Sequence, residues 1–272
     1  MRSRCRGLSL TELMVATTLL ATATAGGLGA LSQSQAARRE ASLLQQLQER
    51  AQYAFASLEP ELQMAGYFGA AAPAALALAD IPVPATRCGP EVVRRLDQPL
   101  QVESGWTLPC PAQGGGHVAG TEVLVTRRVS SQIATGVQAG RAQWLSQAAS
   151  GSGRIFWNGD AGWVPADAAT GAELRNLELH IYYVARSADG NAGLPALRVK
   201  TLTSVAGVPA FIDTEVMNGI EDLQVELLPD AATPRSVRVQ LGVRAETPAG
   251  RRTGVPRTLA ITRHFSLRNA RG

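Results

Sequence analysis

From Leu8 to Leu31 the chain runs almost without polar interruption, LSLTELMVATTLLATATAGGLGAL, and Glu12 is the one charged residue in it. As a helix this stretch would span roughly 36 Å, against about 30 Å for the hydrocarbon core of a bilayer. The pattern then changes. Through SQSQAARREASLLQQLQERAQYAFASLEPELQMAG the apolar positions Leu43, Leu44, Leu47, Ala51, Ala54, Phe55, Leu58 and Leu62 recur at spacings of three and four, which places them on one helix face. Pro60 removes a backbone donor near the end of this run, and Gly66 is the expected stop. The spacing predicts one helix from Leu8 to about Ala65, apolar all round in its first half and with one apolar stripe in its second. Gly26, Gly27 and Gly29 interrupt the apolar seam. Each weakens a helix by about 1 kcal/mol relative to Ala, so local bending is one reading; close packing through small residues is the other.

From Tyr67 to Gly120 the chain is rich in Ala, Pro and Gly and reads mainly as loop. Strand patterns follow at Glu122 to Val129, Arg154 to Trp157, Leu177 to Arg186, Leu197 to Leu202, Phe211 to Met217, Leu223 to Leu228, Val237 to Arg244 and Leu259 to Leu267. Alternation puts Leu177, Leu179, Ile181 and Tyr183 on one face, with His180 and Tyr182 expected on the outer one. Val237, Val239, Leu241 and Val243 alternate inward in the same way, and Asp189-Gly190-Asn191 reads as a hairpin loop. The expected fold is α+β, a long N-terminal helix packed on a mainly antiparallel, β-rich head. Its expected segments are a short basic start (1–7), a helix long enough to span a membrane (8–31), an amphipathic continuation (32–66) and the head (67–272).

Composition narrows the function classes only a little. With 272 residues, 45% hydrophobic and 18% charged, the chain is globular rather than disordered. The formal net charge of +4 selects no partner, and most of that excess sits at the start as Arg2, Arg4 and Arg6. Lys200 is the sole lysine, and the arginine bias reads as background composition. Three cysteines, Cys5, Cys88 and Cys110, and three histidines, His117, His180 and His264, are too scattered for a metal centre. No cofactor is expected.

Three readings compete for the N-terminus. A secretory signal peptide could be cut after Ala23 or Ala25, and a plain signal anchor could stay uncut. Neither needs Glu12, a carboxylate that costs about 2.5 to 3.5 kcal/mol at full membrane depth. In the third reading the cut falls between Gly7 and Leu8. A short basic leader ending in Gly7, the apolar first residue Leu8, Glu12 at the fifth position after the cut and an unbroken apolar helix together resemble the processing motif of type IV pilins and type II secretion pseudopilins. The resemblance implies that a prepilin peptidase cuts after Gly7 and methylates the amine of Leu8. Most members have Phe where this chain has Leu8. The physics of Glu12 can be argued apart from the family. A buried carboxylate needs a partner, and the terminal amine of a neighbouring subunit is a cation at similar depth. That pair would set the axial register between otherwise slippery apolar helices.

The C-terminal half adds to this. NGIEDLQVELLPD, SVRVQLGVRAE, HFSLRNARG and the pair HIYYVAR and LRVKTL resemble the PilW-type minor pilins; residues 67–120 carry nothing that matches. The resemblance implies a pilin-like fold and an inner-membrane, single-pass protein with a periplasmic head, incorporated in a pilus. Its implied partners are other minor pilins, the major pilin, the prepilin peptidase and the assembly platform. In an oxidising compartment Cys88 and Cys110 would close a loop of about 23 residues, worth roughly 3 kcal/mol in chain-entropy terms. Cys5 would leave with the leader, and two free buried thiols are the alternative. A type II secretion minor pseudopilin is the nearest rival reading, and a periplasmic binding protein or enzyme the distant one.

Other chemistry finds little support. No nucleotide-binding, metalloprotease or serine-hydrolase motif is present, so no enzymatic activity and no small-molecule substrate are expected. Gly114 to Gly116 reads as a flexible loop rather than a phosphate cradle, and Ser187 to Asn191 as a turn rather than a calcium loop. Trp106, Trp144, Trp157 and Trp163 read as packing residues. The pairs Arg38-Arg39, Arg94-Arg95, Arg127-Arg128 and Arg251-Arg252 are expected to be solvated rather than to bind DNA.

Overall fold

The computed structural model describes residues 9–70, 76–77, 83, 88–149, 151–157, 171–187, 194–245 and 258–269. The chain separates into two units, one up to Gln46 and one from Leu47 onward. The fold is α+β, as the pattern predicts. A single 55-residue helix, α1 (Leu10–Met64), runs from the first unit into the second, with Pro60 inside it. Pro60 is tolerated because it and Ala56, whose carbonyl it leaves without a donor, are both exposed to water. Gly66, the expected stop, takes the left-handed φ of 77° and donates its N–H to the Arg127 carbonyl.

In the second unit follow β1 (Leu76–Ala77), α2 (Gly89–Arg94), β2 (Leu100–Glu103), β3 (Val123–Ile133), β4 (Gln143–Gln147), β5 (Ser152–Phe156), β6 (Ala172–Arg186), β7 (Pro195–Val205), β8 (Val208–Asn218), β9 (Ile220–Leu228), β10 (Ser236–Arg244) and β11 (Thr258–Ser266). The larger sheet has the order β1-β5-β4-β6-β3-β2, and β7 and β8 extend it from β6. The smaller one is β11-β10-β9. Every pairing is antiparallel except β1 with β5. Strand β6 organises the larger sheet. One edge is held by β3, while the other is shared by β4 along Ala172–Asn176 and β7 along His180–Arg186.

The two faces of the larger sheet are covered differently. Leu177, Leu179, Ile181 and Tyr183 point into one core together with Val123, Val125, Trp144 and Ile155. The segment expected to be loop covers that face. Its Phe68, Cys88, Val92, Val93, Leu96 and Cys110 are all buried there, and it contains α2 and β2, which the loop reading missed. The sequence pattern also missed β4, a five-residue strand with little alternation of its own. Trp144 in β4 lies against the cross-strand Gly153, where any Cβ would collide with the indole; only glycine leaves room for the ring.

The other face corrects an expectation. His180 and Tyr182 do not face solvent, because the second half of α1 covers them: Tyr182 is 3% exposed and donates its hydroxyl hydrogen to the Ser57 carbonyl. The smaller sheet closes over the same helix, with Phe265 6.1 Å from Phe55, centroid to centroid, and the Arg263 guanidinium 4.9 Å above the Phe55 ring. Leu47, Ala51, Ala54, Phe55, Leu58 and Leu62 are buried as their spacing predicts, whereas Leu43, assigned to the same face, is half-buried and Leu44 exposed; Val237, Val239, Leu241 and Val243 are fully buried.

Two adjacent arginines of β3 tie these layers together. Arg127 is 1% exposed and donates to the carbonyls of Val92 and Gln98 and to the Gln101 side chain. Desolvation, reinforced by the charge of Arg95, pushes its pKa down to about 10. Arg128 points the other way and makes a bidentate pair with Glu61 of α1, at 2.8 and 2.9 Å, while also meeting Glu178, its direct cross-strand partner. His180 Nδ1 lies 2.9 Å from Glu61 Oε2 in ion-pair rather than aligned hydrogen-bond geometry. The expectation that Arg127 and Arg128 are solvated is therefore overturned.

Burial alone would raise the Glu61 pKa, but the bonds and charges of Arg128 and His180 outweigh it and bring it to about 2. A carboxyl with a depressed folded pKa stabilises above its unfolded value of about 4.3 and loses that contribution as pH falls through about 2. Glu61→Gln should cost about 3 kcal/mol at neutral pH, at the low end for a broken buried pair because Glu178 stays on Arg128. Urea unfolding of the detergent-solubilised protein should show the wild type losing its advantage over the variant on acidification across that window. A constant gap down to pH of about 2 would contradict the assignment.

Candidate assembly site

The sequence places the site at the start of α1. Gly7 and Leu8, the expected processing residues, lie outside the described residues. Glu12 lies in the first turn of the helix, exposed, and is held by a reciprocal pair of bonds. The Ser9 N–H donates to Glu12 Oε2 at 2.9 Å, and the Glu12 N–H donates to Ser9 Oγ at 3.4 Å. This is a capping box, Ser9-x-x-Glu12, a spacing visible in the sequence that the reading of Glu12 as an assembly residue passed over. It gives the carboxylate a local role in starting the helix. The same carboxylate still has a second oxygen to offer a cation, and its charge suits the positive end of the helix dipole.

Behind Glu12 the helix is uncovered. Every residue from Ser9 to Ser42 is exposed, including Leu10, Leu13, Met14, Val15, Leu19, Leu20, Leu28 and Leu31. The hydroxyls of its apolar part are bonded within the helix itself. Thr17 and Thr18 donate to the Met14 carbonyl, Thr22 to Thr18, Thr24 to Leu20 and Ser32 to Gly29. Internal pairing of this kind is what an apolar surrounding requires. The helix is unbroken through Gly26, Gly27 and Gly29, and no side chain or backbone outside its own turns comes within 4 Å of a Cβ built there. By length and hydropathy it is sufficient to cross a membrane.

In the head, Cys88 and Cys110 form a disulfide with Cα atoms 4.3 Å apart, and both are buried in the core of the 67–120 layer. Trp106 donates its indole N–H to the Cys110 carbonyl at 2.7 Å, which ties the second end of the loop to an aromatic anchor.

The remaining candidates separate. Among the described residues no group of three or more His, Cys, Asp and Glu side chains comes together as a metal site. His117 lies beside Trp106 and bonds to Thr121, and burial pushes its pKa down. His180 belongs to the Glu61 clamp and His264 is exposed on β11. Gly114 to Gly116 form a tight turn with positive φ at all three positions, and a Cβ on Gly114 would strike the Arg186 carbonyl. This replaces the flexible-loop reading. Arg38 and Arg39 are exposed as expected, and Arg94 pairs with Glu91. Arg251-Arg252, Trp163 and the Asp189–Asn191 turn lie outside the described residues. Lys200, which the sequence marks only as the sole lysine, is 5% exposed in a buried charged cluster.

Comparison with known proteins finds no matching family, no matching curated sequence and no matching solved structure. The geometry of the site therefore stands on its own residues.

Replacing both Cys88 and Cys110 with Ser should lower head stability by about 2 to 5 kcal/mol, the usual cost of losing a native disulfide. The measurement is the denaturation midpoint of wild type and variant with and without reductant. The wild type should converge on the variant once reduced, and coincident midpoints without reductant would rule out a stabilising bridge.

Proposed function

We propose that this chain is a minor pilin of a type IV pilus, cut between Gly7 and Leu8 and methylated on Leu8, that joins other minor pilins in the complex initiating the fibre. The observation that carries this reading is the combination at the N-terminus. The apolar run of the exposed helix up to Leu31 bears a single carboxylate, Glu12, four residues after the proposed new terminus. Exposed apolar surface of that extent needs lipid or other apolar helices as surroundings. A lone carboxylate in such surroundings needs a cation, and the α-amine of a neighbouring subunit supplies one at matching depth. Once the leader is removed, Leu8 of each copy would present that amine. The helix then serves as both membrane anchor and assembly element, and the head offers lateral contacts to the neighbouring pilins and major pilin.

In this mechanism the chain performs no chemistry on a substrate and needs no cofactor. Its processing is done by the prepilin peptidase, and extraction from the inner membrane by the assembly platform.

Mass spectrometry of the native N-terminus tests the processing step directly. A mature chain starting at methylated Leu8 is expected; a start after Ala23 or Ala25 would falsify the reading and favour an ordinary secreted protein. Glu12→Ala should reduce surface pili severely while the head keeps its thermal midpoint, as counted by electron microscopy of sheared fibres beside unfolding of the purified protein. Normal piliation in that variant would sink the pairing with the neighbouring amine.

A further inference from the structure

The sole lysine of the chain occupies one of the most enclosed positions of the head. All other basic residues are arginines, and an arginine is accommodated two positions away on the same strand at Arg198. At residue 200 the chain departs from its own habit. Lys200 stands directly opposite Asp213 in the β7–β8 ladder, and its Nζ lies 2.9 Å from Asp213 Oδ2. Both side chains are 6% exposed. The rings of Trp106 and Tyr183 flank the amine, each with its centroid 5.8 Å from Nζ. An amine differs from a guanidinium in the property that matters here: it can shed a proton and attack a carbonyl carbon.

The carboxyl group is held as an acceptor of that attack. Arg198 donates Nε–H to Oδ1 at 2.8 Å, and the Tyr183 hydroxyl donates to Oδ2 in a short hydrogen bond. Burial, followed by the bond to Asp213, raises the Tyr183 pKa, so the phenol stays protonated and remains a donor. The Gln113 N–H donates in turn to the Tyr183 oxygen at 3.0 Å and fixes it. A cation on one carboxyl oxygen and a phenol on the other is the arrangement that stabilises a tetrahedral adduct at Oδ1 and helps Oδ2 depart.

We propose that Lys200 and Asp213 condense spontaneously into an intramolecular amide that bonds β7 to β8. Nζ, after passing a proton to the carboxyl, attacks Asp213 Cγ, and the C–N bond forms. The Cγ–Oδ2 bond then breaks, and Oδ2 leaves as water carrying two protons that were on the ammonium, relayed directly or through Tyr183. Ammonium plus carboxylate becomes amide plus water, so atoms and charge balance and no oxidant or cofactor is required. Charge bookkeeping favours it. Arg198, Lys200, Asp213 and Glu215 form a neutral quartet, with Arg198 also 3.1 Å from Glu215. The reaction removes one buried charge of each sign and leaves Arg198 paired with Glu215. Two ions in a dry site carry a desolvation penalty that the amide does not, and the fixed cross-strand geometry supplies the proximity a condensation otherwise lacks. Among the described residues strand β8 pairs only with β7 in the larger sheet, so the bond would tie an edge strand covalently to the core. The proposal does not depend on the pilin reading.

The test is the mass of the full-length, detergent-purified protein, reduced and denatured, followed by peptide mapping. The wild type is expected one water lighter than its sequence, with a branched peptide joining the segments of Lys200 and Asp213 and no tryptic cleavage after Lys200. Lys200→Arg and Asp213→Ala should each restore the full sequence mass. A wild type at full mass whose Lys200 amine reacts with an acylating reagent after denaturation would overturn the proposal. So would a missing water located in any other peptide. The wild-type map decides the question by itself if either variant fails to fold.

Discussion

Strand β3 carries Arg127 and Arg128 side by side, and the pleat of a strand sends neighbouring residues to opposite faces. That alternation reaches both layers that cover the larger sheet. Arg127 reaches into the layer built from residues 92–101 and donates to the carbonyls of buried Val92 and of Gln98. Arg128 reaches to the helix on the opposite face and fastens Glu61. A charged group is costly to bury, so each arginine is specific about where it is placed: it fits only where its acceptors converge. The apolar contacts around them supply bulk stabilisation, whereas the arginines decide register and orientation.

The helix obeys two solvents along one continuous run of backbone hydrogen bonds. From Leu47 onward its apolar stripe is narrow, set at spacings of three and four, and covered by both sheets. Before that, its apolar residues go all round and nothing in its own unit covers them. A stripe implies one protein partner face; an apolar circumference implies surroundings on all sides. The threonines in the apolar run return their hydroxyls to their own helix, and among the described residues up to Leu31 the one charged side chain is Glu12, which takes the Ser9 N–H on one carboxylate oxygen. Within that run Glu12 is the one residue that breaks the apolar pattern.

The head shows the same economy in its buried charges. The Glu61 cluster joins α1 to β3 and β6, the Asp213 cluster joins β7 to β8, and each fixes the relative position of the elements it joins. One connects helix to sheet through Arg128 and His180; the other connects β7 to β8 and, through Tyr183, to the turn at Gln113. The disulfide does for the 67–120 layer what these clusters do for the sheet, because that layer has little regular structure with which to hold itself.

Local pattern alone was enough to determine the long helix, its buried stripe, most strands and the inward faces of β6 and β10, because those depend on periodicities of 3.6 and 2 within a short window. It also marked Glu12 as anomalous, since a charge inside an apolar run is visible without any fold. The Ser9-x-x-Glu12 cap was legible too and was missed only because the apolar context suggested a different question. The rest was decided by tertiary structure. Strands β2 and β4 are short and take their conformation from β3, β5 and β6. His180 and Tyr182 look like solvent-facing residues until a helix distant in sequence covers them. Arg127, Arg128 and Lys200 look like surface charge until their acceptors, far away in the chain, are brought around them. Burial of a polar side chain is a property of its partners, and no local window contains residues 61, 128 and 180 together.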